Sequence, residues 1–392
     1  MAGSTLLTRF ELRSFRNYEA AEVSFGPGLN VLTGGNGEGK TNLLAAVAWL
    51  ATTLSFRGAP AEALVRSGDE RAVLRADVEH HPDWGGGEPR RGLVEAELSS
   101  AGRERVLVNR VPLRRARDLL GTLRVSVFTP DDLVLVKGGP GERRRFLDDA
   151  VVSCVPRHAG TRSGLERVLR QRGALLRSSG GRASPDVIAT LDVWDAKLTE
   201  LGEALGRARA GLVERLGPLV ADAYRRVATA GEVTLAYVAP WRAEGSEGAG
   251  LGLAAALAAA RGDDLRRGVS TVGPHRDELE LRLDARPART HASQGEQRSV
   301  ALALRLAAHA VVTDVTGLVP VLLLDDVFSE LDAARSSALL GALSPGQALL
   351  TTAGPLPVGA VPELVVRVRG GRLLSVPSSP PLLDDGDLGG VG

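Results

Sequence analysis

The sequence predicts an α/β protein. One parallel-sheet lobe is assembled from both ends of the chain, and a mainly helical lobe is inserted between them. Three observations predict it. Near the N-terminus a short apolar strand, GLNVLTG, runs into a glycine loop and then into TNLLAAVAWLATTL, which has helical spacing and good helix formers. Near the C-terminus VPVLLLDDV reads as a buried strand ending in two carboxylates. The middle of the chain shows long stretches of helical apolar spacing.

The elements follow in order. LTRFELRSFRNYEAAEVSF alternates and is rich in β-formers, which predicts an antiparallel pair with a turn near Asn17. Residues 72–79 and 93–109 read as further strands around the Gly/Pro-rich loop HHPDWGGGEPRRG. His80 and His81 there lack the companion ligands of a metal site and read as part of a solvated loop. From about residue 131 the pattern turns helical, with Ser184 as an N-cap and Pro185 as a first helical residue. Gly180–Gly181 and Gly217–Pro218 read as breaks, so each helix should be only a few tens of ångströms long, too short for a coiled-coil arm. Strands return with EVTLAYV and LELRLDA. Helices are expected near Ser293 and from about Asp332, and QALLTTA reads as another inner strand. The resulting division is 1–130 and 270–376 for the nucleotide-binding lobe, 131–269 for the helical lobe, and 377–392 for a disordered Pro/Gly/Asp-rich tail.

Composition sets the outer bounds. With 392 residues, 44% of them apolar, the chain can bury a sizeable core. A net charge of +1 means that any basic surface must be local. The single cysteine, Cys154, excludes an internal disulfide, fits a reducing compartment and reads as a small buried apolar residue rather than a nucleophile. The N-terminus lacks a signal-peptide pattern and no apolar run approaches eighteen residues, so a cytoplasmic protein with no membrane partner is expected.

Residues 34–41, GGNGEGKT, match the pattern G-x-x-x-x-G-K-[ST]. Gly34, Gly35, Asn36, Gly37, Glu38 and Gly39 let backbone N–H groups curl around phosphate oxygens at a helix N-terminus, with Asn42 following in the helix. Lys40, one of three lysines among 48 basic residues, would place its ammonium at the β- and γ-phosphates, and the Thr41 hydroxyl would reach Mg²⁺. Arginine's planar fork is a poor replacement in that slot. ATP with Mg²⁺ is the ligand this predicts. A buried strand ending in two carboxylates is costly unless they meet a cation or water. Asp325 is therefore assigned to the Mg²⁺ sphere and Asp326 to polarising an attacking water. SQGEQRSVALALRLA opens a helix on Ser293, Gln294, Gly295 and Glu296, a second anion-binding helix end that is superfluous to one phosphate loop within one chain. Taken alone it reads as a plain N-cap.

The order of these motifs, followed by SELD (329–332), resembles ABC-type ATPase heads. More narrowly the chain resembles the RecF family of bacterial recombination and gap-repair ATPases. The resemblance rests on LRSFRNY, GGNGEGKTN, FTPDDLVLVKGGPGERRRFLD, GPHRDEL, SQGEQR and LLLDDVFSELD, which cover nearly the whole chain except the tail. It implies an ABC-type P-loop ATPase head with an inserted helical lobe. It implies two heads facing each other, each ATP lying on one phosphate loop and capped by the partner's Ser293-to-Gln297 segment, with Asp332 at that interface. It further implies an ATP-dependent homodimer that binds double-stranded DNA and single/double-strand junctions, hydrolyses ATP weakly, and with RecO and RecR helps load RecA at gaps. Two departures point to slow hydrolysis. No glutamine occurs between Thr41 and Gln171, where Asp131 or Asp132 is offered as a substitute, and a switch histidine is replaced by Thr351 and Thr352. Other SMC-like repair ATPases and ABC-type transporter ATPases are the alternatives, and a non-enzymatic scaffold a further one.

Arginines cluster at 114–117, 143–145, 166–172, 207–209 and 225–226, but neighbouring acids nearly cancel them, and each cluster alone reads as a solvated face. Duplex backbone binding with strong salt dependence is the expected mode, since aromatics are few. Arg16 is expected to reach nucleotide phosphates. His275, Arg276 and Asp277 read either as a structural ion-pair set or as a relay of nucleotide state.

Overall fold

A computed structural model describes residues 2–56, 58–81, 88–102, 104–228, 230–242, 252–342 and 346–375. The proposed tail at 377–392 and residues 82–87 of the histidine-bearing loop lie outside the described residues; His80 and His81 are not in a solvated loop, as expected from sequence, but form the half-buried end of a strand that starts at Arg71.

Strands β1 (Gly3–Phe15) and β2 (Tyr18–Ser24) form the expected antiparallel pair, turning at Arg16 and Asn17. β3 (Leu29–Thr33) leads through the glycine loop into α1 (Lys40–Thr52). β4 (Arg71–His81), β5 (Arg90–Ser99), β6 (Glu104–Val108) and β7 (Val111–Pro112) extend the β1–β2 sheet antiparallel, so the stretch 93–109 is a hairpin rather than one strand. Its inner face carries Leu7, Phe10, Leu12, Leu74, Val94 and Leu98. On its outer face five arginines pair with five glutamates: Arg9 with Glu22, Arg13 with Glu11, Arg71 with Glu97, Arg75 with Glu95 and Arg91 with Glu79.

β8 (Val125–Phe128) starts the run into the helical region: α2 (Val134–Lys137), α3 (Pro140–Cys154), α4 (His158–Ser178) and α5 (Pro185–Val227). α5 corrects the sequence reading. It runs unbroken for 43 residues, about 65 Å, straight through Gly217–Pro218. Proline removes the hydrogen bond to Glu214, but both Pro218 and Glu214 are exposed, so water reaches the freed carbonyl. Gly217 has no Cβ to clash with the proline ring, and that lifts the usual bar on helix before proline. The helix is not a projecting arm: buried positions recur along it from Leu191 to Val227.

β9 (Val233–Val238), α6 (Gly252–Arg267), β10 (Glu278–Leu283), β11 (Arg286–Pro287), α7 (Ala288–His291) and α8 (Gln294–Thr316) follow. The sheet β11–β10–β9 pairs strands from either side of residue 270 and packs on α3, α5 and α8. α8 is long and apolar enough by composition to cross a membrane, but half of that stretch is buried inside the fold, as suits a core helix. Two buried ion-pair sets hold the helices, and they correct the reading of the 166–172 and 207–209 clusters as solvated faces; the first reaches GPHRD and the second Ser270 just before it. Arg209 grips Asp148 with two bonds of 2.7 and 2.9 Å and donates to the Pro274 carbonyl at 2.8 Å. Arg172, fully buried, bonds Asp195 and Asp264 at 2.7 Å each and Ser270 at 2.8 Å.

β12 (Leu318–Val319), β13 (Val321–Asp325), α9 (Ala333–Ala342), β14 (Ala348–Thr352), β15 (Pro362–Arg369) and β16 (Arg372–Ser375) complete the chain. The second large sheet has the order β16-β15-β3-β14-β13-β8, parallel except for the terminal β15–β16 hairpin. Strands from both ends of the chain therefore interleave, as predicted, while β8, α6 and the last hairpin escaped the sequence reading. α1 lies between the two sheets. It is apolar on every side and buried at ten positions, Lys40 and Leu43–Ala51, which is why it shows no single apolar stripe.

His309 of α8 shares a 2.9 Å hydrogen bond with Ser126 of β8, and burial holds its imidazole down to about 4. Its folded pKa lies below the ordinary 6.5, so the unfolded chain takes up the proton first as pH falls. Stability contributed at neutral pH is therefore expected to fall between pH 6.5 and 4, with a ceiling of ~3 kcal/mol. Denaturant titrations of His309→Gln should show a flatter pH dependence in that window.

Candidate functional site

The carboxyl ends of β3, β14 and β13 are level. Thr33 lies beside Thr352, and Thr351 beside Asp325. In open α/β sheets ligands sit at that edge. The phosphate loop leaves β3 there. Gly34, Gly37 and Gly39 have φ of 152, 81 and 116°, and a Cβ on Gly34 would lie 2.3 Å from the Val368 carbonyl oxygen. Only glycine fits such backbone. The N-terminus of α1 begins at Lys40 with no acid in its first turn, so its positive end is unneutralised. Lys40 is buried and donates to the Gly34 and Gly35 carbonyls at 2.6 and 2.8 Å, which holds the ammonium inside the loop.

Neighbouring turns brace the loop. Asn17 donates from Nδ2 to the Glu38 carbonyl at 3.0 Å and accepts from Asn42 at 2.9 Å. The Tyr18 hydroxyl donates to the Gly39 carbonyl at 3.0 Å, and burial raises its pKa. The β15–β16 turn braces the other side: the Gly371 N–H meets the Glu38 carbonyl at 3.0 Å, and the Gly370 N–H bonds the Glu38 carboxylate. Glu38 is thus tied at both its carbonyl and its carboxylate. Arg16, at φ 51° in the β1–β2 turn, has no side-chain hydrogen bond or ion pair among the described residues.

Asp325 is buried, and its Oδ1 accepts from Thr41 Oγ1 at 2.6 Å and from Thr351 Oγ1 at 2.9 Å. The two residues assigned to the cation therefore face each other with hard oxygen donors. Asp326 is left-handed at φ 50°, pinned by its N–H to the carbonyl and hydroxyl of Thr351 at 3.1 and 3.0 Å. Its half-buried carboxylate has no hydrogen-bond partner among the described residues, so it is open to water. Thr351 thus organises both aspartates; Thr352 instead donates to the Gly354 carbonyl.

Ser293 caps α8 in a reciprocal box: its hydroxyl accepts from the Glu296 N–H at 3.3 Å, and its own N–H meets the Glu296 carboxylate at 2.7 Å. Ser293 and Gln294 are exposed at the helix end, whereas Gly295 and Glu296 are half-buried. Gln297 turns inward, its Nε2 donating to the carbonyls of Arg289 and Ala292 at 3.2 and 3.0 Å, which fixes the approach to the helix. No hydrogen bond or ion pair among the described residues joins 293–297 to 34–42. Asp332 reaches the same helix end through Arg335, which the sequence reading missed. Arg335 pairs with the Asp332 carboxylate, donates to the Gly295 carbonyl at 3.1 Å and to Ser299 at 2.8 Å. Its spacing three residues after Asp332, in a first helical turn, was the available signal.

Of the residues offered for the missing glutamine, Asp131 is exposed. Asp132 accepts from the Thr129 N–H at 2.9 Å and pairs with Arg305 of α8 at 2.6 Å, joining the end of β8 to that helix. In GPHRD, His275 and Arg276 converge on the Ser270 carbonyl, while buried Asp277 accepts from Tyr237 and from Trp241 at 2.7 Å. Burial pushes the Asp277 carboxyl up, against those donors and Arg209. Cys154 is half-buried, and burial pushes its thiol up to about 11, which makes it a poor nucleophile.

A parallel sheet edge carrying a phosphate loop and a paired-aspartate strand end, with a capped helix turned outward elsewhere, defines a P-loop ATPase head of the ABC type. The RecF/RecN/SMC N-terminal domain family matches residues 6–350. A DNA replication and repair protein RecF from Streptomyces avermitilis is 44% identical over 356 residues, which span 88% of this chain and 93% of that one. Its counterpart from Cutibacterium acnes is 39% identical over 388 residues, 93% and 97% of the two chains. The solved structure of a recombination mediator protein RecF with ATP, in the RecFOR pathway, superposes with a TM-score of 0.86 at 25% identity, covering 96% of this chain and 99% of that one. A Pyrococcus furiosus Smc head domain shares the fold alone, with a TM-score of 0.55 at 14% identity over 95% and 96% of the chains. The chain belongs to the RecF family.

Proposed function

We propose that this protein is an ATP-gated DNA-binding ATPase of recombinational repair and replication-gap processing, working as a dimer. The observation that carries the reading is that the chain holds two separate helix ends, α1 at Lys40 with no acid in its first turn and the outward α8 at Ser293, capped by its own Glu296, with no hydrogen bond or ion pair between them among the described residues. A second copy supplies the missing half. In this reading residues 34–42 and Arg16 hold the nucleotide of one chain, and Ser293, Gln294, Gly295 and Glu296, with Asp332 at the interface, cap that of its partner. Lys40 neutralises the terminal phosphates. Thr41 and Asp325 have the oxygen donors that Mg²⁺ takes beside phosphate, where the ion would screen charge on the β- and γ-phosphates. Asp326 orients and deprotonates the attacking water. Asp325, Asp326 and Lys40 are thus the catalytic set, and the slow hydrolysis expected of them releases the dimer.

The division into a nucleotide-binding lobe (1–130 with 270–376) and a helical lobe (131–269) belongs to the same proposal, as do duplex DNA and single/double-strand junctions as ligands. RecO and RecR are the proposed partners in loading RecA, and a cytoplasmic site of action follows from that role. The direct test is ATP turnover with and without duplex DNA, together with DNA retention in ATP against ADP. Slow, DNA-stimulated turnover and retention only with ATP are expected. A chain that turns over no ATP even on DNA is a scaffold, and this reading is then wrong.

Arg335 gives a further expected result. It holds the Gly295 carbonyl and Asp332 through charged hydrogen bonds, each contributing ~1.5–3 kcal/mol. Arg335→Ala should leave ATP affinity of the single chain unchanged while weakening ATP-dependent dimerisation roughly 10-fold or more. Equal loss of both, by fluorescent-nucleotide titration and light scattering, would show a general folding defect instead.

A further inference from the structure

We propose that the exposed face of the β15–β16 hairpin is a phosphate-backbone contact surface for duplex DNA, placed directly against the nucleotide site; this deepens the proposed function and rests on it. Arg367 and Arg369 alternate with buried Val366 and Val368, so both guanidinium groups leave the same face of β15, about 7 Å apart along the strand. Arg372 lies directly opposite Arg369 in the antiparallel register. All three are exposed, and none has a hydrogen bond or ion pair among the described residues. Like charges set opposite each other on a hairpin are destabilising until an anion lies across them.

The contrast within the molecule is sharp. The outer face of the β1–β7 sheet carries six arginines among the described residues; five are each paired with a glutamate, and the sixth, Arg105, lies directly opposite Glu97. With a net charge of +1 for the chain, the unbalanced hairpin is a local positive field. Its neighbour Arg16 also has no side-chain hydrogen bond or ion pair among the described residues, and the hairpin turn packs on that loop so closely that a Cβ on Gly371 would lie 2.3 Å from the Asn17 carbonyl oxygen. The same turn bonds Glu38 of the phosphate loop. A polyanion on the hairpin would therefore rest on a support of the ATP site. A repeating phosphate backbone fits a row of guanidinium groups at strand spacing, and no aromatic side chain on that face offers base stacking. The bland alternative is that β16 is an edge strand whose charges merely block edge pairing.

The test is the salt dependence of duplex DNA affinity with a non-hydrolysable ATP analogue, for the unaltered chain, for R367Q/R369Q/R372Q, and for R71Q/R75Q/R91Q. The last removes the same charge from the neutralised face. Each phosphate contact contributes ~0.9 to the slope of log affinity against log salt, so the hairpin variant is expected to lose ~2–3 from the slope. The control variant should keep the slope of the unaltered chain, and all three should bind the analogue equally in the absence of DNA. An unchanged slope in the hairpin variant overturns the surface, whether the variant aggregates, as edge protection requires, or instead loses nucleotide affinity. Equal loss in both variants reduces the effect to net charge and also overturns it. An unaltered chain that binds no duplex with the analogue overturns the proposed function, and the surface with it.

Discussion

Lys40→Ala is expected to lower ATP affinity by roughly 100-fold and to abolish nucleotide-dependent dimers at ordinary ATP concentrations. The ammonium already lies within the loop, 2.6 and 2.8 Å from two of its carbonyl oxygens, so binding needs only a short shift of one side chain toward the phosphates. Removing it leaves the triphosphate facing backbone amides and a helix end without a full positive charge. The fold should survive. Lys40 sits at the N-terminus of α1, and alanine is the better helix former. Calorimetric titration with ATP, beside a melting curve without nucleotide, separates the two effects. An unchanged melt with lost binding is the expected pair.

Ser293→Arg is expected to do the reverse. The single chain should bind ATP with unchanged affinity, because no hydrogen bond or ion pair among the described residues links 293–297 to the phosphate loop of the same chain. Dimerisation with ATP should be lost, because a long cation replaces the small hydroxyl at the outward helix end and the reciprocal cap with Glu296 is broken. Loss of such a cap costs ~1 kcal/mol of stability, too little to unfold the protein. If Ser293→Arg weakened ATP binding by the isolated chain, α8 would be serving its own nucleotide.

The phosphate loop, the aspartate strand end and the capped helix were legible from residues because each is a local pattern. Glycines at fixed spacing, a continuous apolar run and a serine before a helical stretch all announce themselves within ten residues. What escaped was non-local. Thr351 stands out in sequence only in place of a switch histidine; its hold on both aspartates depends on β14 lying between β3 and β13, an order that no local pattern gives. Asn17, Tyr18 and Gly371 brace the loop from turns far away in the chain. The misreading of Gly217–Pro218 has a different cause. A proline within a helical pattern reads as a breaker, and only the structure shows that its face is solvent-exposed and that the preceding glycine has no Cβ to clash. Arginine was harder still to read. The buried Arg172 and Arg209, the paired Arg75 and the unpaired Arg369 look alike in sequence, and their surroundings alone separate a strut from a solvated pair or an unsatisfied charge.

Light scattering on the full chain tests the shared-nucleotide arrangement most directly. With a non-hydrolysable ATP analogue the mass should rise to about twice the 41.0 kDa chain, and it should stay at one chain with ADP, without nucleotide, and for Lys40→Ala and Ser293→Arg with the analogue. A dimer of the same strength without nucleotide, or one that both variants still form, would contradict the account.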